Sequence, residues 1–167
     1  LSDAESLEYY TGILLKPIGF SLDAYKMVLQ NAEIWMGYRN TVFYVIVGVC
    51  YSVFMTALGG YVLAQRNFYW NRIILPMVII TMFFGGGLIP HYLVVRGLGM
   101  NNSFLALIIP SAIGTMNMFI MRTNFRSVPS SLEESATIDG ANQVQIFIRI
   151  VLPLSKAIIA VMCLYYG

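Results

Sequence analysis

The chain has 167 residues, 58% of them hydrophobic and 11% charged, with a formal net charge of +2. Soluble domains carry about 25% charged residues, so this composition excludes a water-covered globular surface. The ten basic residues are scattered, which excludes the clustered patch that nucleic acid requires.

The leader, residues 1–38, is amphipathic and turn-rich, with Pro17 and Gly19. A short helix is expected over 22–29, with Ser21 as its cap and Asp23 in its first turn. No signal peptide is expected, because the first apolar run starts only at about Thr41. From there the charge disappears in blocks. No Asp, Glu, Lys or Arg lies between Arg39 and Arg66, between Arg72 and Arg96, or between Arg96 and Arg122. Each block can hold the ~20 apolar residues that cross a ~30 Å hydrocarbon layer. The fold class is therefore an all-α membrane protein. Its first span is expected over 41–64, with Gly59-Gly60 near its end allowing close helix approach.

A short polar connection with Arg66 and Arg72 leads to a second span over 73–95, interrupted by Gly85-Gly86-Gly87 and Pro90. Glycine in a helix costs about 1 kcal/mol relative to alanine, and proline removes a backbone hydrogen bond. Two readings follow. Either the helix ends at 84–87 and 88–95 forms a short helix or re-entrant piece, or the span is continuous and kinked. A turn at 97–103 supplies Asn101, Asn102 and Ser103 as caps for a third span over 104–121, which Pro110 is expected to kink. Residues 122–149 are polar, and an apolar run at 154–167 opens a fourth span, so the chain reads as part of a longer protein.

Basic residues set the orientation. Lys16, Lys26, Arg39 and Arg96 fall on one side; Arg66, Arg72, Arg122, Arg126, Arg149 and Lys156 fall on the other. Six against four places the long polar segment in the cytoplasm and the leader outside it. No ionisable group of the kind that builds a proton relay or voltage sensor lies within the three spans. His91, beside Pro90 at a span end, reads either as a ring at the interface or as a substrate contact. Cys50 and Cys163 lie in apolar runs and read as buried small side chains. No catalytic motif, phosphate loop, metal spacing or cofactor motif is present, so neither an enzyme nor a bound cofactor is expected.

The informative segment is 129–153. Pro129-Ser130-Ser131 before Leu132-Glu133-Glu134 marks a helix start, with Ser131 and Glu134 as a capping box, or Ser130 and Glu133 in the other register. Asp139-Gly140 breaks that helix, because glycine accepts a left-handed conformation. A second helix is expected over 141–150, and Pro153 suits the first turn of the following span. Spacing alone leaves two readings: an ordinary surface helix, or a short helix held out for a soluble partner.

Glu134-Ser135-Ala136, Asp139-Gly140-Ala141, Ile150, Leu152 and Pro153 resemble the EAA…G…I-LP pattern of binding-protein-dependent ABC transporter permeases. Ser135 stands where the family has its first alanine. Gly85-Gly86-Gly87-Leu88-Ile89-Pro90 and Leu98-Gly99-Met100-Asn101-Asn102 are similar to the carbohydrate and oligosaccharide-uptake branch. The resemblance implies a type I ABC importer (MetI-like) transmembrane helical bundle, truncated at both ends, over 39–167, in a bacterial cell membrane that it crosses several times. It implies that 129–153 couples to cytoplasmic ATP-binding subunits. In that role Glu134 makes a polar contact, Ser135 and Ala136 pack into the ATPase cleft, and Gly140 supplies the turn. Ile150, Leu152 and Pro153 would tie the segment to the next span. A second permease subunit, an extracellular or periplasmic solute-binding protein and membrane lipid complete the implied partners. A gradient-driven carrier or channel, an amino-acid or peptide permease and a non-transport membrane scaffold are the alternatives.

Overall fold

Every described element is helical in the computed structural model, which describes residues 22–167. Pro17, Gly19 and the expected cap Ser21 lie outside the described residues. The chain divides into two units, 1–43 and 44–167. In the first, α1 (Asp23–Gln30) ends at Asn31, whose side chain accepts a hydrogen bond from the Glu33 N–H at 3.0 Å and so caps α2. The Trp35 indole N–H closes the corner on the Leu29 carbonyl at 2.7 Å.

Helix α2 (Ala32–Ala64) begins nine residues before the expected span. Among the described residues it is the one unbent helix long and apolar enough to cross a membrane. Its C-terminal carbonyls, orphaned by the helix end, are met by side chains. Arg122 Nε donates to the Leu63 carbonyl at 2.9 Å, and Asn71 Nδ2 donates to Leu63 and Gln65 at 3.0 and 3.1 Å. Arg122 thus works inside a helix, not in the polar segment expected to begin with it.

The second apolar run takes the broken form. Helix α3 (Asn71–Phe83) stops, Phe84–Gly87 is irregular, and α4 (Leu88–Gly97) follows. Gly87 has φ +78, a conformation that a continuous helix excludes. Pro76 lies within α3 without ending it.

The third run departs further from its expectation. Pro110 does not kink a continuous helix; it sits in a complete break between α5 (Leu105–Ile108) and α6 (Thr115–Arg126). Pro110 lacks the N–H that would reach the Ala106 carbonyl. Ser111 Oγ turns back onto the Leu107 carbonyl, a local bond that competes with the helix ladder. The chain re-enters helix at Gly114 and continues to Arg126, five residues past the expected end.

Gly59 and Gly60 do bring α2 and α6 together. A Cβ on Gly60 would lie 3.0 Å from Met121 Cβ and 3.2 Å from the Arg122 backbone nitrogen, closer than packed side chains allow. Around this approach lies the core: Ala57, Tyr61 and Ala64 of α2, Met121 and Phe125 of α6, then Ile146, Phe147, Val151 and Met162 from the C-terminal helices. Met121, Val151 and Met162 are fully buried. Cys50 and Cys163, expected to be buried, are exposed.

Candidate functional site

The 129–153 segment is built as a helix, a tight turn and a second helix. Helix α7 (Ser130–Ile138) starts after Pro129, which occupies the cap position at φ −58, ψ 128. Proline loses nothing there, since its missing N–H has no intrahelical partner. The expected cap Ser131 therefore sits inside the first turn, as does Ser130, and neither side chain makes a capping bond. Glu133 still lies in the positive first turn.

The end of α7 follows expectation. Gly140 takes φ +84, with its N–H on the Thr137 carbonyl at 3.0 Å and the Ala141 N–H on the Ala136 carbonyl at 2.9 Å. That pair of bonds is the Schellman arrangement, which needs a left-handed residue at the turn. Nothing lies within 4 Å of a Cβ placed on Gly140. Conformation, not space, selects glycine here.

The capping box exists, but on the next helix. Asn142 Oδ1 accepts from the Gln145 N–H at 2.8 Å, while the Asn142 N–H donates to Gln145 Oε1 at 2.9 Å. The Asn-x-x-Gln spacing of 142–145 is the sequence signal for this box. Helix α8 (Gln143–Ile146) then widens into a π turn over Phe147–Val151 and closes as α9 (Leu152–Leu154). Pro153 lacks the N–H that would meet the Arg149 carbonyl, and its ring crowds that carbonyl; the wider turn relieves the crowding. Pro153 lies in the first turn of α9, the position a proline suits, and ahead of the bend. The bend itself falls at Ser155, where Gln143–Leu154 meets α10 (Lys156–Tyr166) at 82°.

The sequence-selected residues divide into two sets. Ala136, Ala141, Ile150 and Leu152 are half-buried and pack on the core. Glu134, Ser135, Asp139 and Ser131 are exposed, with Ile138 the most exposed apolar side chain of the segment at 85%. Glu133 and Glu134 help line a cavity of about 560 Å3, as do Arg66 and Arg126. The turn of Asp139, Gly140 and Ala141 borders a second hollow with Arg149 and Ile150.

What holds this segment to the rest was invisible to motif reading. The Tyr61 hydroxyl of α2 donates to Gln143 Oε1 at 2.9 Å. Its ring packs 4.7 Å from Phe147 and edge-on to Phe125 at 6.4 Å, and Phe125 and Phe147 meet edge-on at 6.2 Å. Three rings from three helices form the root of the segment, an arrangement that favours edge-to-face contacts. The result is a polar helix with no buried residue, rooted on an aromatic cluster, with an 82° elbow further along the chain.

Residues 34–165 match the family described as "Binding-protein-dependent transport system inner membrane component". The polygalacturonan/rhamnogalacturonan transport system permease protein YtcP of Bacillus subtilis (strain 168) is 42% identical over 154 residues, covering 92% of this chain and 54% of that protein. Protein LplC of the same organism is 41% identical over 151 residues, covering 90% and 51% respectively. Among solved structures, a bacterial ABC transporter involved in the import of the acidic polysaccharide alginate matches with a TM-score of 0.90 at 32% identity, covering 99% of this chain and 59% of that one. The chain spans about half the length of the curated relatives it matches.

Proposed function

The chain belongs to the family of binding-protein-dependent transport system inner membrane components, and on that premise we propose that it is a permease subunit of an ATP-driven ABC importer for oligosaccharides. The exposed α7, with the Gly140 turn at its end and the aromatic root beside it, is the observation that carries this reading. It is the coupling helix, seated in a cleft of a cytoplasmic ATPase. Glu134 and Ser135 make the outward contact, with Ile138 beside them. Ala136 and Ala141 fasten the helix to the core from within, so Ala136 offers the cleft only its exposed part. Asp139 and Gly140 set the angle, while Ile150, Leu152 and Pro153 carry motion into the elbow at Ser155.

ATP hydrolysis belongs to that separate subunit. A second permease subunit completes the pathway, and a solute-binding protein outside the bacterial membrane delivers the cargo. The chain crosses that membrane several times, with α3–α4 and α5–α6 as interrupted crossings. Irregular backbone at membrane depth is tolerated where it is buried in protein or lines a watery route. The relatives' names, polygalacturonan with rhamnogalacturonan, arabinooligosaccharides and alginate, make sugar chains the cargo class, with uronic-acid chains the first to test.

The test is Gly140→Pro in the full-length permease. Proline fixes φ near −65° and cannot adopt the +84° found here. Membrane insertion is expected to persist, while ATPase association and uptake of short galacturonate chains disappear. Uptake at the unmutated rate contradicts the reading.

A further inference from the structure

One polar node lies inside the apolar part of the bundle, away from the coupling segment. The Tyr166 hydroxyl, at the far end of α10, is 2.8 Å from Thr56 Oγ1 of α2 and accepts the Gly114 N–H at 2.9 Å. Thr56 is fully buried and stands eight residues before the end of α2, about 12 Å up the helix. Gly114 closes the break between α5 and α6, and a Cβ there would come within 3.2 Å of the Tyr166 hydroxyl. Such a break frees a backbone N–H that hydrocarbon cannot satisfy; one phenol oxygen satisfies it and engages α2 as well.

Helix α6 is thereby held at both ends by the same continuous stretch of chain. At its base, Phe125 packs on Phe147 ahead of the elbow. At its top, Gly114 is bonded to Tyr166, one helix beyond the elbow. Between this upper fastening and α5 lies the break at 109–114.

We propose that the Tyr166 hydroxyl is a positioning residue that makes α6 follow α10, so that movement of the coupling helix shifts the break at 109–114. This rests on the permease reading above. When the ATPase moves the lever, α10 swings about Ser155; the Tyr166 bonds oblige the top of α6 to swing with it. Without the hydroxyl the base still moves, but the top lags, and ATP is hydrolysed without a matching rearrangement at the break.

The experiment uses the complete permease assembled with its ATPase subunits, carrying Cys50→Ala, Cys163→Ala and a reporter, Ile113→Cys, in the half-exposed break. The rate of maleimide reaction at the reporter is read with and without ATP, and ATP hydrolysis is followed in the same sample. Tyr166→Phe is expected to leave assembly and hydrolysis intact and to shrink the ATP-dependent change about tenfold, in line with one or two lost hydrogen bonds. Thr56→Val should give a smaller loss, and Thr56→Ser, which keeps the hydroxyl, should retain the change. A full ATP-dependent change in Tyr166→Phe overturns the proposal, as does a loss that merely parallels falling hydrolysis. If Tyr166→Phe does not assemble, the Thr56 pair decides, and equal behaviour of Val and Ser overturns it. An unmutated complex with no ATP-dependent change contradicts the permease reading itself, and the fastening falls with it.

Discussion

Among the described residues, the turn at Gly140 and the break at 85–87 are built in opposite ways. At Gly140 the left-handed residue is enclosed by two backbone bonds to α7 and flanked by Ala136 and Ala141, both packed on the core. At Gly85–Gly87 the neighbouring Phe83, Phe84 and Leu88 are each more than three-quarters exposed. Nothing lies within 4 Å of a Cβ on Gly85, Gly87 or Gly140, so the surrounding bonds and packing, not open space, separate the two. The first is a bonded corner packed on the core; the second is an interruption flanked by exposed side chains. A glycine in the sequence marks where the chain turns, but only the bonds around it tell whether the turn transmits force.

The largest effect is expected at the root of the bonded corner. Phe147→Ala removes a buried ring from the Tyr61–Phe125–Phe147 cluster and should destabilise the purified permease by about 3–5 kcal/mol, read as a fall in thermal unfolding temperature. A shift like that of a surface variant would mean that the corner is not anchored as described. Next comes Gly140→Ala, which forces a Cβ into the left-handed region at a cost of about 1–2 kcal/mol, with weaker ATPase binding in copurification. Asn142→Ala breaks the capping box of α8 and should cost about 1 kcal/mol, measured by denaturant titration. The smallest effect belongs to the other break. Gly86→Ala meets only Pro90 Cβ at 3.6 Å, and Gly86 has no positive φ, so stability should be unchanged or rise by up to about 1 kcal/mol. If Gly86→Ala proves as damaging as Gly140→Ala, the contrast between the two breaks is wrong.

The sequence reading located both breaks because glycine and proline act locally, through φ and the missing N–H. It found Gly140 and its turn for the same reason. The cap of α7 differs from the expected Ser131 because Ser131 and Glu134 satisfy a spacing rule, whereas Pro129 fixes the start two positions earlier. Pro110 alone implies a kink, since its own effect is a single lost bond; the full break also carries the Ser111 back-bond and, at Gly114, the Tyr166 hydroxyl. The latter lies 52 residues further along the chain. The π turn before Pro153 and the elbow at Ser155 likewise depend on packing. Tyr61, Phe125 and Phe147 sit in apolar runs where every aromatic looks alike, so no periodicity singles out the three that meet. Legible features were those a residue imposes on its own backbone; hidden ones required knowing which helices touch.

In the proposed reading, α7 projects into the cytoplasm and is gripped there by an ATPase subunit. Ser135→Cys in a full-length permease lacking Cys50 and Cys163 tests it, using a membrane-impermeant maleimide. The account predicts no labelling in intact cells, ready labelling in inverted vesicles stripped of the ATPase, and protection when the ATPase is restored. Labelling from outside intact cells, or equal labelling with and without the ATPase, would contradict it.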